Sequence, residues 1–387
     1  MTNASIDEFS LQGGPLYKLG RRWGLVRDST DTTLIGLALG GGAWLILVAL
    51  ALLGGVTDLV FSLDIIASHI RLLLVIPLFF VCEALAVPRM SAFVRTIVNS
   101  GVVPGESIPL LAAELARIQR WKASWVPETI FLVVTVPLFL ADAYFPFLGV
   151  TASHDAKKLA AEAALAVQWY FIVCLPLFRF LLLRWIWHLA LWYFLLWRIS
   201  RLQLRLVPTH PDGAGGLGYL ELVQSHFSPL VFAISALQAA IFAENFAAGT
   251  VAFEQIYPTL ALVYIVIAVL FVGPLFIFST QLWDCQVRSL SGYMEFAARY
   301  VNDFERKWMN PAGNPANEPL LGTPDLQSLA DLNNSMSVVH QMRWVPISMH
   351  LLSSLAGIAL LPMLPLLLLK YPLSELLQNF FMSLAGL

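Results

Sequence analysis

Apolar stretches of membrane-crossing length, separated by charged loops, constrain this chain more than any other feature. A helix needs roughly 20 apolar residues to cross about 30 Å of hydrocarbon. About seven stretches meet that length, near 33–55, 68–88, 127–149, 164–188, 228–249, 258–281 and 346–369. The chain is 58% hydrophobic and 12% charged over 387 residues, with mean hydropathy +0.73. Water-soluble globules cannot bury so much apolar side chain. The expected fold class is all-α: a polytopic transmembrane bundle of about seven spans with a helical cytoplasmic layer.

Charge settles the orientation expected. The arm 1–32 carries Lys18, Arg21, Arg22 and Arg27, with no early apolar core and cleavage site of a signal peptide. Arg89, Arg95, Arg117, Arg120 and Lys122 lie between spans two and three. Arg198, Arg201 and Arg205 follow span four, and Arg288, Arg299, Arg306, Lys307 and Arg343 precede span seven. The opposite loops offer only Lys157, Lys158 and Lys370. Positive residues stay inside, so the arm is expected in the cytoplasm and the C-terminus outside. Pro362 and Pro365 leave open a re-entrant final segment.

The expected organisation is an arm (1–32), a six-span bundle (33–281), a cytoplasmic helical pair (282–345) and a last span with its tail (346–387). Segments 89–126 and 189–227 add further cytoplasmic helices. Residues 105–124 show helical apolar spacing. Residues 281–308 extend span six, the breaker-rich 310–319 ends that helix, and Thr323-Pro324 opens its antiparallel partner. Span four reads helical from Ala164 to Leu206, which places Arg198, Arg201 and Arg205 in one basic row. That row meets lipid headgroups or lines a vestibule that gathers anions. No internal repeat is evident, so an inverted-repeat transporter fold has no support.

Ionisable residues at membrane depth are costly and point to function by default. Arg71, Glu83, Arg179, Arg184 and Glu244 qualify, and Glu128 and Asp142 mark the two ends of span three. Depth matching pairs Glu83 with Arg179, and Arg71 with Glu244. Such pairs either fix helix packing or line an ion path. In span six, Gly273-Pro274 predicts a kink, and Phe271 and Phe278 share a face beside it. An ordinary kink and a hydrophobic gate both fit.

The segment "HPDGAGGLG" (210–218) combines a turn signal with glycines that permit positive φ. It lacks the Lys-Ser/Thr of a phosphate-binding loop. His210, Asp212, Glu221 and His226 are candidate phosphate or metal contacts at non-standard spacing. A structural elbow is the favoured reading. His188, beside Trp187, is expected at the headgroup interface, and His69, His154, His340 and His350 are scattered. Cys82, Cys174 and Cys285 suit neither disulfides nor a zinc cluster. No catalytic residue and no cofactor are expected.

"HPDGAGGLG", "GTPDLQSLADL" (322–332) and "LLPMLPLLLLKYPLSELL" (360–377) resemble segments of uncharacterised bacterial multi-pass inner-membrane proteins. The resemblance covers roughly the C-terminal half. It implies a bacterial inner membrane and transfers no activity and no site residues.

The leading functional expectation is an ion channel or transport protein, homo-oligomeric, with the lipid bilayer and small ions as partners. If anions are carried, Arg179, Arg184 and Arg198 are the contacts. An enzyme acting on a phosphate-bearing lipid through His210, Asp212 and His226 is the alternative, and a non-transporting scaffold docking through 282–343 is a third. A net charge of −2 gives no reason to expect nucleic acid.

Overall fold

Helices are the only way these apolar segments can satisfy their backbone groups in lipid, and helices are what the computed structural model contains. It describes residues 9–11, 13, 29–55, 62–142, 164–250, 256–309 and 323–366, with no strand among them. Lys18, Arg21, Arg22, Arg27, His154, Lys157, Lys158, Lys370 and the 310–319 breaker lie outside the described residues, as does the Asp142 side chain.

The helices in chain order are α1 (Ser29–Leu53), α2 (Ile66–Ile70), α3 (Ile76–Asn99), α4 (Ile108–Ala123), α5 (Trp125–Asp142), α6 (Ala164–Trp169) and α7 (Leu175–Ser200). They continue as α8 (Tyr219–Ser225), α9 (Ser228–Ala247), α10 (Ile256–Phe271), α11 (Ser279–Trp308), α12 (Pro324–His340) and α13 (Met349–Leu360). Five runs are long and apolar enough to cross a membrane: Thr32–Leu53, Ile66–Asn99, Leu165–Ser200, Tyr219–Ala247 and Met349–Leu366. The bent pair Tyr257–Phe271 and Gly273–Trp308 makes a sixth. Span three of the sequence reading is α5, and its residues past 142 lie outside the described ones. Leu34, Leu45, Val133, Leu262 and Val269 point outward from these helices, 60% exposed or more. Lipid is the solvent that removes the cost of that exposure. The chain is an all-α membrane protein.

Two rods, α2–α3 and α6–α7, form the centre. Each contains one π-helical turn, Arg71–Val75 and Tyr170–Cys174, and each has a proline two residues after that turn, Pro77 and Pro176. A proline removes one backbone donor and crowds the preceding turn; a π-turn widens the helix and absorbs the mismatch without breaking it. The rods run parallel and in register. Arg71 meets Tyr170, Phe79 meets Phe178 and Phe93 meets Trp192, each pair 99 residues apart in the chain. The tripeptide Pro-Leu-Phe stands at both 77–79 and 176–178. The elements after each rod pack on the other: α4 and α5 on α7, α8 and α9 on α3. These contacts and the shared tripeptide are a local correspondence between two rods that run the same way, and not an inverted repeat.

α1 lies against α3 and the first π-turn. Gly36 and Gly40 face that contact; a Cβ on Gly40 would sit 2.2 Å from the Leu72 carbonyl oxygen. Glycine lets the two backbones approach. Gly41 and Gly42 face open space.

α7 ends at Ser200, six residues before the expected end. Arg201 and Leu202 turn the chain out of the helix and 203–207 is irregular, with Leu202, Leu204 and Leu206 turned inward and Arg201, Gln203 and Arg205 outward. The alternation in "RLQLRLV" is a period-two pattern. The helical row of Arg198, Arg201 and Arg205 is therefore corrected. Arg198 is on the helix and Arg201 caps it, whereas Arg205 is exposed on the irregular strip beyond.

The amphipathic 105–124 segment is α4, with Leu111, Ala112, Leu115 and Ile118 buried. α11 and α12 form the expected antiparallel pair. Tyr300 donates to the Asp325 carbonyl at 3.0 Å, and Gln286 reaches the Met342 carbonyl at 2.9 Å. Thr323 is the N-cap of α12, with Pro324 in its first turn.

Candidate functional site

The paired rods bring polar and aromatic layers together in alternation. At the end away from α4, Arg71 is buried and donates to the Tyr170 hydroxyl. Glu244 accepts the Ala67 backbone N–H at 2.8 Å nearby, and Trp44 donates to His69 Nδ1 at 2.7 Å. Next comes the Phe79–Phe178 stack, with centroids 6.1 Å apart. Below it Arg184 Nη2 meets Glu83 Oε1 at 2.9 Å. Phe93 and Trp192 follow edge to face at 5.9 Å. At the arginine-rich end Arg198 pairs with Glu114.

The Glu83–Arg184 layer is the candidate site. Its side chains are 4% and 12% exposed. Arg184, not Arg179, is the partner of Glu83. The register explains the difference, because Phe79 stacks on Phe178 and the Trp185 indole donates to the Phe79 carbonyl at 3.1 Å. Glu83, one turn beyond Phe79, then lies beside Arg184, whereas equal counting from the helix starts ignores this offset. Arg179 is itself buried, at 2% exposed.

His188 is a further member of this layer. It lies one turn from Arg184 on α7, is 6% exposed and packs edge to face on Trp185 at 5.9 Å. The rods' contact encloses this face of α7, while Trp187 beside it is half-buried. A cavity of about 10 Å3 is lined by Phe79, Phe80, Glu83, Leu181, Arg184, Trp185 and His188. The signal for His188 in the sequence was its i, i+4 spacing from Arg184.

The other expected residues do not join this layer. Phe271 and Phe278 are fully buried on either side of Gly273-Pro274, where a 3-10 turn bends the span by 43°. Phe271 packs on Phe227 at 5.7 Å. Pro274 has no N–H for the Leu270 carbonyl, and the Tyr193 hydroxyl donates to that oxygen instead.

"HPDGAGGLG" is an elbow closed by its own carboxylate. Asp212 accepts the backbone N–H groups of Ala214 (2.8 Å), Gly216 (3.0 Å) and Gly218 (2.8 Å). Gly213, Gly215 and Gly216 have positive φ of 62°, 64° and 100°, which glycine adopts without steric cost. His210 Nδ1 lies 2.9 Å from Asp212 Oδ1 and 3.3 Å from the Asp212 backbone nitrogen. One ring nitrogen cannot donate and accept together, so the shorter, charge-assisted contact assigns its proton. Burial pushes the Asp212 carboxyl up, but the three N–H donors and His210 outweigh it and hold its pKa below the ordinary value. Arg343 joins the elbow to the last span, donating to the Asp212 carbonyl at 2.8 Å and to Glu221 at 3.1 Å. Glu221 also accepts from Ser348, the N-cap of α13. His226 Nδ1 turns to the Leu222 carbonyl at 2.7 Å.

Asp212 thus occupies the nest of backbone N–H groups that an outside anion would use. Among the described residues no three His, Cys, Asp or Glu side chains converge as a metal would require. Comparison with protein-family models, with curated proteins and with solved structures gives no match.

Proposed function

We propose that this chain is an integral membrane transport protein for a small ion, with Glu83 and Arg184 at the point where the ion crosses. The observation that carries the reading is a buried ion pair, bracketed by two aromatic pairs, between parallel rods that each contain a π-turn. Buried charges at membrane depth cost several kcal/mol and persist where they serve a path or a relay. π-Turns frequently mark functional positions. Gly273-Pro274 supplies a bend beside the rods, and Phe79–Phe178 and Phe93–Trp192 form the constrictions on either side of the charged layer.

The setting that fits is a bacterial inner membrane, with the arginine-rich end in the cytoplasm and several copies of the chain assembled together. Flux of H+, Na+, K+ and Cl− into proteoliposomes tests the reading. The wild type is expected to exceed empty vesicles, and Arg184→Gln is expected to lose the flux at equal protein content. Flux indistinguishable from empty vesicles for every ion refutes it.

A scaffold role has one observation in its favour. Trp283, Met294 and Phe296 on α11 are each more than 50% exposed. A partner that copurifies with the chain in the absence of any flux supports that reading instead.

A further inference from the structure

We propose that the ion carried is the proton, relayed between His188 and Glu83 through the cavity that both line. The inference rests on the transport reading above and narrows it to one ion.

Size is the first argument. The cavity of about 10 Å3 has the space of roughly one water centre. A hydrated Na+ or Cl− is several times larger, and the Phe79–Phe178 and Phe93–Trp192 pairs close the layer on both sides. A proton needs no pore, because it moves along hydrogen bonds between groups and waters.

Polar atoms without partners continue the line. Among the described residues, Arg184 Nε, Trp192 Nε1 and both amide atoms of Gln224 are buried without a hydrogen bond. Arg184, His188 and Trp192 are spaced at i, i+4 and i+8, on one face of α7. Gln224 is 0% exposed on α8, and two residues on, the His226 carbonyl lies 3.7 Å from the Cys82 thiol, beside Glu83. Buried polar groups of this kind are met by ordered water. Arg184, His188 and Trp192 lead along α7 from the Glu83 layer toward Arg198 at the arginine-rich end.

Chemistry is the third argument. Imidazole and carboxylate both bind a proton reversibly, whereas Arg184 stays protonated throughout. In one transfer an N–H bond of the His188 imidazolium breaks and an O–H bond forms on Glu83. The imidazole returns neutral, and Arg184 is released from its salt bridge. The groups reaching His188 are Arg184 on its own helix, Glu83 from α3 and Lys122 from α4. The turn Gly273–Phe278 carries no ionisable side chain, and Glu128 of α5 lines a separate groove with Pro176 and Phe180.

The test uses full-length protein in vesicles loaded with a pH-sensitive dye, under a K+ diffusion potential. Wild type is expected to acidify the interior at least about tenfold faster than empty vesicles; Glu83→Gln and His188→Gln are each expected to lose that excess. Retention of the size-exclusion peak and thermal midpoint shows that a variant is folded, and Arg184→Lys, which keeps the charge, is expected to retain part of the flux. The Trp192 indole N–H is expected to exchange with D2O within minutes. Na+, K+ or Cl− flux without acidification overturns the proton inference and spares the transport reading. No flux of any ion overturns both. An indole N–H protected for days contradicts the water line directly.

Discussion

The Tyr193 hydroxyl donates to the carbonyl of Leu270, the group four residues before Pro274 that would otherwise lack its helical donor. The bend of span six is thereby tied to α7, the helix that carries Arg184 and His188. Tyr193→Phe leaves the Leu270 oxygen unmet in an apolar setting, at a cost of about 1 kcal/mol. Pro274→Ala restores a backbone donor. The double variant is therefore expected to lose less stability than the sum of the two single variants, as read from thermal unfolding in detergent.

Close packing of α1 gives a second prediction. A Cβ at Gly40 would meet the Leu72 backbone oxygen at 2.2 Å, and at Gly36 the Phe80 ring at 2.7 Å. Backbone cannot yield as a side-chain tip can. Gly40→Ala is expected to destabilise by about 1–3 kcal/mol and to lower folded yield. Gly41→Ala, which meets open space, is expected to be neutral in the same expression and melting assay.

The elbow predicts an acid limit. The Asp212 carboxyl titrates below its ordinary value, near 3.9 in an unfolded chain. A depressed carboxylate contributes stability that is complete above the unfolded pKa and is lost as pH falls through the folded pKa. Melting temperature is thus expected to hold down to about pH 4 and to drop below it. Asp212→Asn lowers it at neutral pH and flattens the acid drop. A wild-type acid profile in Asp212→Asn contradicts this role.

Much of the fold was legible because lipid imposes simple rules. Length and hydropathy located six of the seven expected spans, and Gly273-Pro274 announced its bend. The third expected span is α5, whose apolar run among the described residues is shorter. The α11–α12 pair followed from breakers and an N-cap at Thr323. Pairing was less legible. Depth counting assumes that two helices start level, and the Phe79–Phe178 stack sets a different offset, which gives Glu83 to Arg184. The end of α7 was missed where a period of two in "RLQLRLV" overrides the helical trend before it. Asp212 fits both the favoured elbow and a ligand in the sequence, because acidic residues among glycines suit an anion nest's closure and a metal site alike. Only coordinates show the carboxylate turned into its own loop. The neighbouring Trp187 draws His188 toward the headgroup reading, whereas its i, i+4 spacing from Arg184 points to the Glu83 layer.

The central claim is that the Glu83–Arg184 layer lies on the path and does more than hold two rods together. Flux through Glu83→Gln, Arg184→Gln and the double variant in proteoliposomes, normalised to folded protein, separates the two roles. Neutralising both partners removes the buried charge imbalance, so the double variant is expected to fold at least as well as either single one. The account predicts that it folds and carries no flux. Wild-type flux from that double variant would contradict the account and leave the pair a packing device.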